Sequence, residues 1–169
     1  MIVAERKSKD VSAGALSSFL RRARKAAGLA GEINVLLTAN QHMRRLNRQF
    51  RHKDKPTDVL SFPAYQADIS QEKYAGDLAI SIEIARRNAR KLGHSLQDEI
   101  KILMLHGILH LAGYDHESDN GKMAKLEEEL RLKLGLPATL ISRSQIKVPR
   151  INRNGRSLPG KVKQRRSSR

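Results

Sequence analysis

The sequence predicts an α+β fold, in which a small mixed β-sheet is packed with helices, one of which carries histidines and ends in a glycine turn. After a first helical segment, strand-like and helix-like segments follow in the order βαββα, and two more helical segments come after them. The chain has 169 residues, 39% of them hydrophobic, which is enough for one domain with its own core.

The first half of the chain predicts a helix, a strand and a second helix. Residues 11–31 place small and apolar side chains at helical spacing and have glycines as stop signals near their end. Residues 32–39 (EINVLLTA) form a short apolar run typical of a buried strand. Asn40 is a candidate cap for a helix over residues 41–50.

Two further strands are predicted next, at residues 57–63 (TDVLSFP) and 76–84 (GDLAISIEI). Pro63 should end the first of them, since proline cannot donate to a strand ladder. The second strand should lead into a helix that stops at Gly93.

The last two predicted helices begin at serines. Ser95 with Asp98 three residues later resembles a capping box, and the apolar run that follows reaches Leu111. Ser118 could cap a final helix that ends at Gly135. Its apolar positions are Met123, Leu126, Leu130 and Leu134.

Three histidines in the stretch MLHGILHLAGYDH have the spacing of metal ligands. His106 and His110 are four residues apart, so a helix places them on one face, one turn apart. A continuing helix would carry His116 roughly 9 Å further along the axis, too far for a shared ion. Gly113 lies where a residue with positive φ would end the helix and turn the chain back. We therefore predict one zinc ion bound by all three histidines.

The chemistry of such a site is catalytic rather than structural. Three neutral imidazoles leave a tetrahedral zinc ion one position for water, and that water can ionise near pH ~7. The spacing resembles that of the metzincin zinc peptidases, H-E-x-x-H-x-x-G-x-x-H, but Gly107 occupies the place of their glutamate base. A peptidase is therefore disfavoured. The chain has no cysteine, which excludes thiolate ligands.

The positive charge of the chain is concentrated at its C-terminus. The net charge is +16, and residues 143–169 hold ten lysines and arginines and no acidic residue. This segment has no sustained apolar period, so we predict a folded domain over residues 1–142 and a disordered basic tail over 143–169. The charge favours a polyanionic partner, nucleic acid before membrane. The sequence shows neither a signal peptide nor a membrane span, which predicts a cytoplasmic protein with no membrane partner.

Two long motifs resemble a known family. HGILHLAGYDHE and, upstream, LNRQFRHKDKPTDVLSFP at residues 46–63 are similar to the signatures of the YbeY endoribonucleases, bacterial rRNA-maturation factors, and GDLAIS is a weaker match. The resemblance covers roughly residues 33–136. Leu78 stands where the family usually has isoleucine, and the basic tail extends beyond the family's domain.

The resemblance implies an activity and its partners. It implies an α+β fold with a small sheet, zinc on the three histidines, and cleavage of single-stranded RNA in 16S rRNA 3′-end maturation and ribosome quality control. RNA is the implied partner, in particular rRNA and the small ribosomal subunit, together with a ribosomal protein and the GTPase Era. It also implies a functional role for Arg51.

Candidate roles follow for individual residues. With His106 as a catalytic ligand, the guanidinium of Arg51 could stabilise the charge that develops on a phosphodiester. Asp58 and Asp77 could position a histidine or water, or cap turns, and Asp115 could orient a ligand imidazole or end the turn. The nucleophile, water on zinc or a ribose 2′-hydroxyl, is left open. The alternative function is a non-catalytic ribosome-assembly factor in which zinc only stabilises the turn.

Deleting residues 143–169 tests the role of the tail. If its side chains contact RNA phosphates, deletion should weaken RNA binding, and the slope of log binding constant against log salt should fall by about 0.7 per lost contact. Cleavage chemistry should persist. Salt titrations of the full and shortened chains measure this, and identical slopes would show that the tail does not contact RNA.

Overall fold

A computed structural model describes residues 1–5, 9–64, 74–115 and 119–137. The predicted boundary at residue 142 and the basic tail lie outside these ranges, so that division of the chain stays a prediction.

The sheet has four strands and mixed direction. The strands are β1 (Ile2–Ala4), β2 (Glu32–Thr38), β3 (Val59–Pro63) and β4 (Tyr74–Ser81), and their order across the sheet is β1-β2-β4-β3. β1, β2 and β4 are parallel, whereas β3 runs antiparallel to β4 and forms one edge. The predicted fold class, α+β with a small mixed sheet, is confirmed.

Five helices surround this sheet in the described part of the chain. They are α1 (Ala13–Ala26), α2 (Asn40–Arg51), α3 (Ile82–Leu92), α4 (Leu96–Leu111) and α5 (Lys122–Leu134). Over the residues described, none of the helices is both long enough and apolar enough to cross a membrane.

The two faces of the sheet are covered by different helices. α1 and α4 pack on the face that carries Leu78 and Ile80, and α5 packs against both of these helices. α2 packs on the opposite face, where Met43 lies against Leu60 and Ala79. The alternation of side chains along β3 and β4 thus separates a large core from a small one.

Two predicted boundaries at this end of the sheet needed correction, and one strand was missed. Asn40 is the first residue of α2 rather than its cap, and its side-chain oxygen accepts a hydrogen bond from the Ser81 hydroxyl at 2.6 Å. The strand predicted over 76–84 ends at Ser81, because that hydroxyl accepts the amide hydrogen of Ile84 and begins α3. β1 was not predicted, since three residues carry too little pattern.

α5 also begins later than its predicted start. Its first residue is Lys122, preceded by Gly121 at φ +84°. Asp119 accepts the amide hydrogens of Gly121 at 3.0 Å and Met123 at 2.7 Å. Ser118, the predicted cap, lies outside the described residues.

Two glycines let α4 approach the sheet closely. A Cβ on Gly107 would lie 2.7 Å from Cδ2 of Leu78 on β4. A Cβ on Gly76 would lie 2.3 Å from the carbonyl oxygen of Phe62 on β3 and 2.9 Å from Cδ2 of Leu111 on α4. The C-terminal part of α4 is therefore held against the start of β4, beside edge strand β3.

Substitution of Gly76 tests this close packing. Gly76 has φ +143°, a conformation open almost only to glycine. Gly76→Ala adds this strain to a backbone clash, so we expect it to lower the free energy of unfolding by about 3 kcal/mol or more.

Gly28→Ala is the matched control, measured by the same denaturant titration. Gly28 also has positive φ, +68°, but its Cβ would meet nothing within 4 Å. Strain alone should cost about 1 kcal/mol there. Equal losses in the two variants would contradict the close approach at Gly76.

Candidate metal centre

The last turns of α4 bring two predicted ligands together. The rings of His106 and His110 lie with centroids 4.8 Å apart and planes at 78°. Nε2 of one ring is 3.2 Å from Nε2 of the other. Both nitrogens are therefore directed toward a common point, as the four-residue spacing predicts.

The helix ends just past these histidines in a Schellman turn. The amide of Gly113 donates to the carbonyl of His110 at 3.0 Å, and that of Tyr114 donates to Leu109 at 3.0 Å. Gly113 has φ +89°. The chain thus leaves the helix axis three residues after His110, at the glycine that the sequence suggests. His116 lies outside the described residues.

The carboxylate of Glu127 on α5 contacts the other ring nitrogen of His106. Oε2 of Glu127 lies 2.9 Å from Nδ1 of His106. Oε1 of the same carboxylate accepts hydrogen bonds from both Nε and Nη2 of Arg131, the first at 3.0 Å. The side chain of Glu127 is 12% exposed. Burial opposes its ionisation, but the hydrogen bond with His106 and the charge of Arg131 outweigh it and lower the pKa of Glu127.

Position 107 has a packing role in this helix. Gly107 is buried, and its carbonyl oxygen accepts a hydrogen bond of 3.4 Å from the hydroxyl of Ser61 on β3. A side chain here would point at Leu78 and the sheet. Any side chain at this position would therefore require Leu78 to move.

The distance between the two ring nitrogens fits a tetrahedral metal ion. Two nitrogens bonded to one zinc at about 2.0–2.1 Å are separated by about 3.3 Å at the tetrahedral angle. The observed separation is 3.2 Å. Among the described residues, no third histidine, cysteine or carboxylate completes a metal-binding group. The pair therefore fits as two ligands of a site whose third predicted ligand is His116.

Arg51 lies at the same end of the sheet as the histidines but on its other face. It is exposed and is the last residue of α2. The ring of the neighbouring Phe50 contacts Phe62, with centroids 5.0 Å apart, and Phe62 is next to the start of β4 where Leu111 packs. Edge strand β3 thus lies between Arg51 and the end of α4.

The surface around Arg51 is strongly basic and locally fixed. Residues 40–58 carry six lysines and arginines but only two aspartates. Arg44 binds Asp54 through two hydrogen bonds of 2.8 and 2.6 Å, and the buried Asn47 donates to the carbonyl of Lys55 at 2.7 Å. These contacts hold the loop after α2 against the helix.

The three candidate aspartates have different surroundings. Asp58 accepts hydrogen bonds from its neighbour Thr57 and from the Val59 amide, where β3 begins. Asp77 is exposed on the face that α2 covers and accepts a hydrogen bond from Asn34 at 3.1 Å. Asp115 is exposed just beyond the Gly113 turn. These contacts of Asp58 and Asp77 are local or cross-strand, and a positioning role for any of the three aspartates stays a prediction.

Glu127 is the functional candidate that the sequence did not reveal. Its signal was weak: a glutamate within LEEEL, four residues before Arg131. That spacing equally describes a solvent-exposed ion pair on a helix surface. Only the packing of α5 on α4 distinguishes Glu127 from its two neighbours.

The fold and the site together define an α+β protein with a helix-borne histidine pair suited to a metal ion. Comparison with known proteins is more specific: the family model described as endoribonuclease YbeY matches residues 2–135. The chain belongs to the endoribonuclease YbeY family, as the motifs predicted, and this membership supports an endoribonuclease role.

Two relatives in sequence agree with this assignment. The endoribonuclease YbeY of Koribacter versatilis is 56% identical over 144 residues, which are 85% of this chain and 91% of that protein. The endoribonuclease YbeY of Solibacter usitatus is 50% identical over 131 residues, 78% of this chain and 85% of the relative. Among solved structures, the solution structure of TM1509 from Thermotoga maritima is 29% identical, covers 86% of this chain and 94% of its own, and has a TM-score of 0.47.

Proposed function

We propose that this protein is a zinc-dependent endoribonuclease that cleaves single-stranded RNA in rRNA processing. The observation that carries the proposal is the convergence of Nε2 of His106 and His110, 3.2 Å apart. That distance suits two ligands of one tetrahedral ion and needs no rearrangement of α4. With His116, the site would have three imidazole ligands.

The ligand set suits zinc better than a hard cation. Imidazole nitrogen is a favoured ligand of zinc, whereas magnesium and calcium prefer oxygen. A bound zinc ion supplies Lewis-acid chemistry that stabilises negative charge on a phosphodiester. The protein's contribution is to direct two imidazoles toward one point and to keep position 107 free of a carboxylate.

Arg51 is the proposed partner of the metal in the reaction. Its guanidinium presents several N–H donors in a planar fork that matches a phosphodiester and stays charged. A transition state with extra charge on phosphorus would be stabilised by such a donor. Because Arg51 is exposed at the histidine end of the sheet, an extended RNA strand could contact both sites across β3.

The basic surface of residues 40–58 supports a nucleic-acid substrate. Lysines and arginines on α2 and its loop would bind phosphates without reading sequence. In the cell, we propose action on rRNA of the small ribosomal subunit in the cytoplasm, in 16S rRNA 3′-end maturation and ribosome quality control. A ribosomal protein and the GTPase Era are the partners proposed from the family resemblance.

His110→Ala tests the metal site. Removing one of three imidazoles should greatly reduce zinc retention, because each ligand contributes directly to the binding free energy. Metal content of the purified chain after dialysis measures this. His52→Asn is a matched control, since His52 is exposed with φ 55°, a conformation that asparagine tolerates. Wild-type protein without stoichiometric zinc would exclude the proposed site.

Arg51→Ala tests the reaction. We expect zinc content and folding to be unchanged while cleavage of single-stranded RNA falls by about 10²–10³-fold, the range for loss of one transition-state donor. Arg51→Lys should recover only part of the rate, because an ammonium keeps the charge but not the fork. Single-turnover cleavage assays with and without chelator measure these rates.

Arg45→Ala is the control for charge on α2. Arg45 is exposed on the same helix, so its loss should weaken RNA binding slightly and leave the cleavage rate of bound RNA intact. Wild-type cleavage by Arg51→Ala would refute the assigned role. If the wild type binds rRNA but cleaves neither RNA nor casein, the assembly-factor alternative replaces the nuclease.

A further inference from the structure

The chain of contacts from His106 through Glu127 to Arg131 determines which ring nitrogen of the histidine carries its proton. An ionised carboxylate can only accept hydrogen bonds, so the 2.9 Å contact requires a hydrogen on Nδ1 of His106. In the neutral ring, the lone pair then lies on Nε2. This is the nitrogen that faces Nε2 of His110 at 3.2 Å.

The carboxylate is itself held in place. Arg131 binds Oε1 with two of its N–H groups, which leaves Oε2 directed at the histidine. The side chains of Glu127 and Arg131 are only 12% and 16% exposed. Little water therefore competes for either group, and a hydrogen bond made there is stronger than on an open surface.

A purely structural role would not require this geometry. An i,i+4 ion pair between Glu127 and Arg131 would stabilise α5 without the histidine. Here one oxygen serves the arginine and the other serves the imidazole, so each carboxylate oxygen has a separate partner. Such a carboxylate–histidine pair fixes the tautomer and raises the basicity of a metal ligand.

We propose that Glu127, held by Arg131, is a positioning residue that fixes the Nδ1–H tautomer of His106 and so prepares its Nε2 to bind the metal. This inference rests on the proposed zinc site and adds a determinant of its affinity. It also links α5 to the site, although α5 contributes none of the three histidines.

The test compares Glu127→Gln with Glu129→Gln in the full chain. Glu129 is exposed on the same helix, so the two substitutions remove the same charge. Competition with a chelator should give a zinc dissociation constant raised about 10–100-fold for Glu127→Gln, the range for loss of such an outer partner, and unchanged for Glu129→Gln. Arg131→Gln should raise it less and in the same direction.

A second measurement does not depend on metal. Ring ¹⁵N chemical shifts of His106 in chelator-treated protein should report the Nδ1–H tautomer for the wild type and a mixture of tautomers for Glu127→Gln. If Glu127→Gln does not fold, Arg131→Gln must still show both changes. Equal zinc affinity of the wild type and the folded variants, or an equal loss in Glu129→Gln, overturns this inference alone. Wild-type protein that takes up no zinc overturns the zinc proposal and this inference together.

Discussion

The close contact between α4 and the sheet is the constraint on which the rest of the site depends. Gly107 removes the side chain that would collide with Leu78, and Gly76 removes one that would collide with the backbone of β3. With both glycines, the C-terminal part of α4 lies against the start of β4. Since the helix is rigid, this contact also sets the position and direction of His106 and His110. The same contact leaves no room for a side chain at position 107 unless Leu78 moves.

The packing of α5 on α4 fixes the ring of His106 from a second side. Glu127 reaches from that helix to Nδ1 of His106, and Arg131 holds the carboxylate from one turn further along. The lowered pKa of Glu127 shows that these two partners outweigh the cost of burying its charge. The imidazole is thus fixed by backbone packing at its helix and by a hydrogen bond to the largely buried Glu127 carboxylate at its ring. Such double support is what a metal ligand needs, because small rotations of the ring would misdirect its lone pair.

The two ends of the sheet have different roles. At the end of β2, Thr38 and His42 both contact Glu5, and at the end of β4 Ser81 binds Asn40. These polar contacts join the ends of the parallel strands to the start of α2. At the other end lie the histidines, on one face, and Arg51 with its basic surroundings, on the other. The antiparallel edge strand β3 separates them, so a substrate that uses both must extend across this edge.

The sequence by itself determined the features that depend on local spacing. The spacing of four from His106 to His110 puts both rings on one face of any helix, and Gly113 marked the turn that ends it. The fold class, the two long motifs and the excess of basic charge could also be predicted from the sequence, because none of them depends on which particular distant residues come into contact. Tertiary structure decided what depends on distant partners. Ile2–Ala4 form a strand only because β2 pairs with them, and Asn40 is not a cap because Ser81 binds its side chain. Glu127 looked like its neighbours in LEEEL, and only the packing of α5 on α4 gave it His106 as a partner. A periodic pattern shows which face of a helix is buried, but the identity of the residue it meets depends on how separate elements pack.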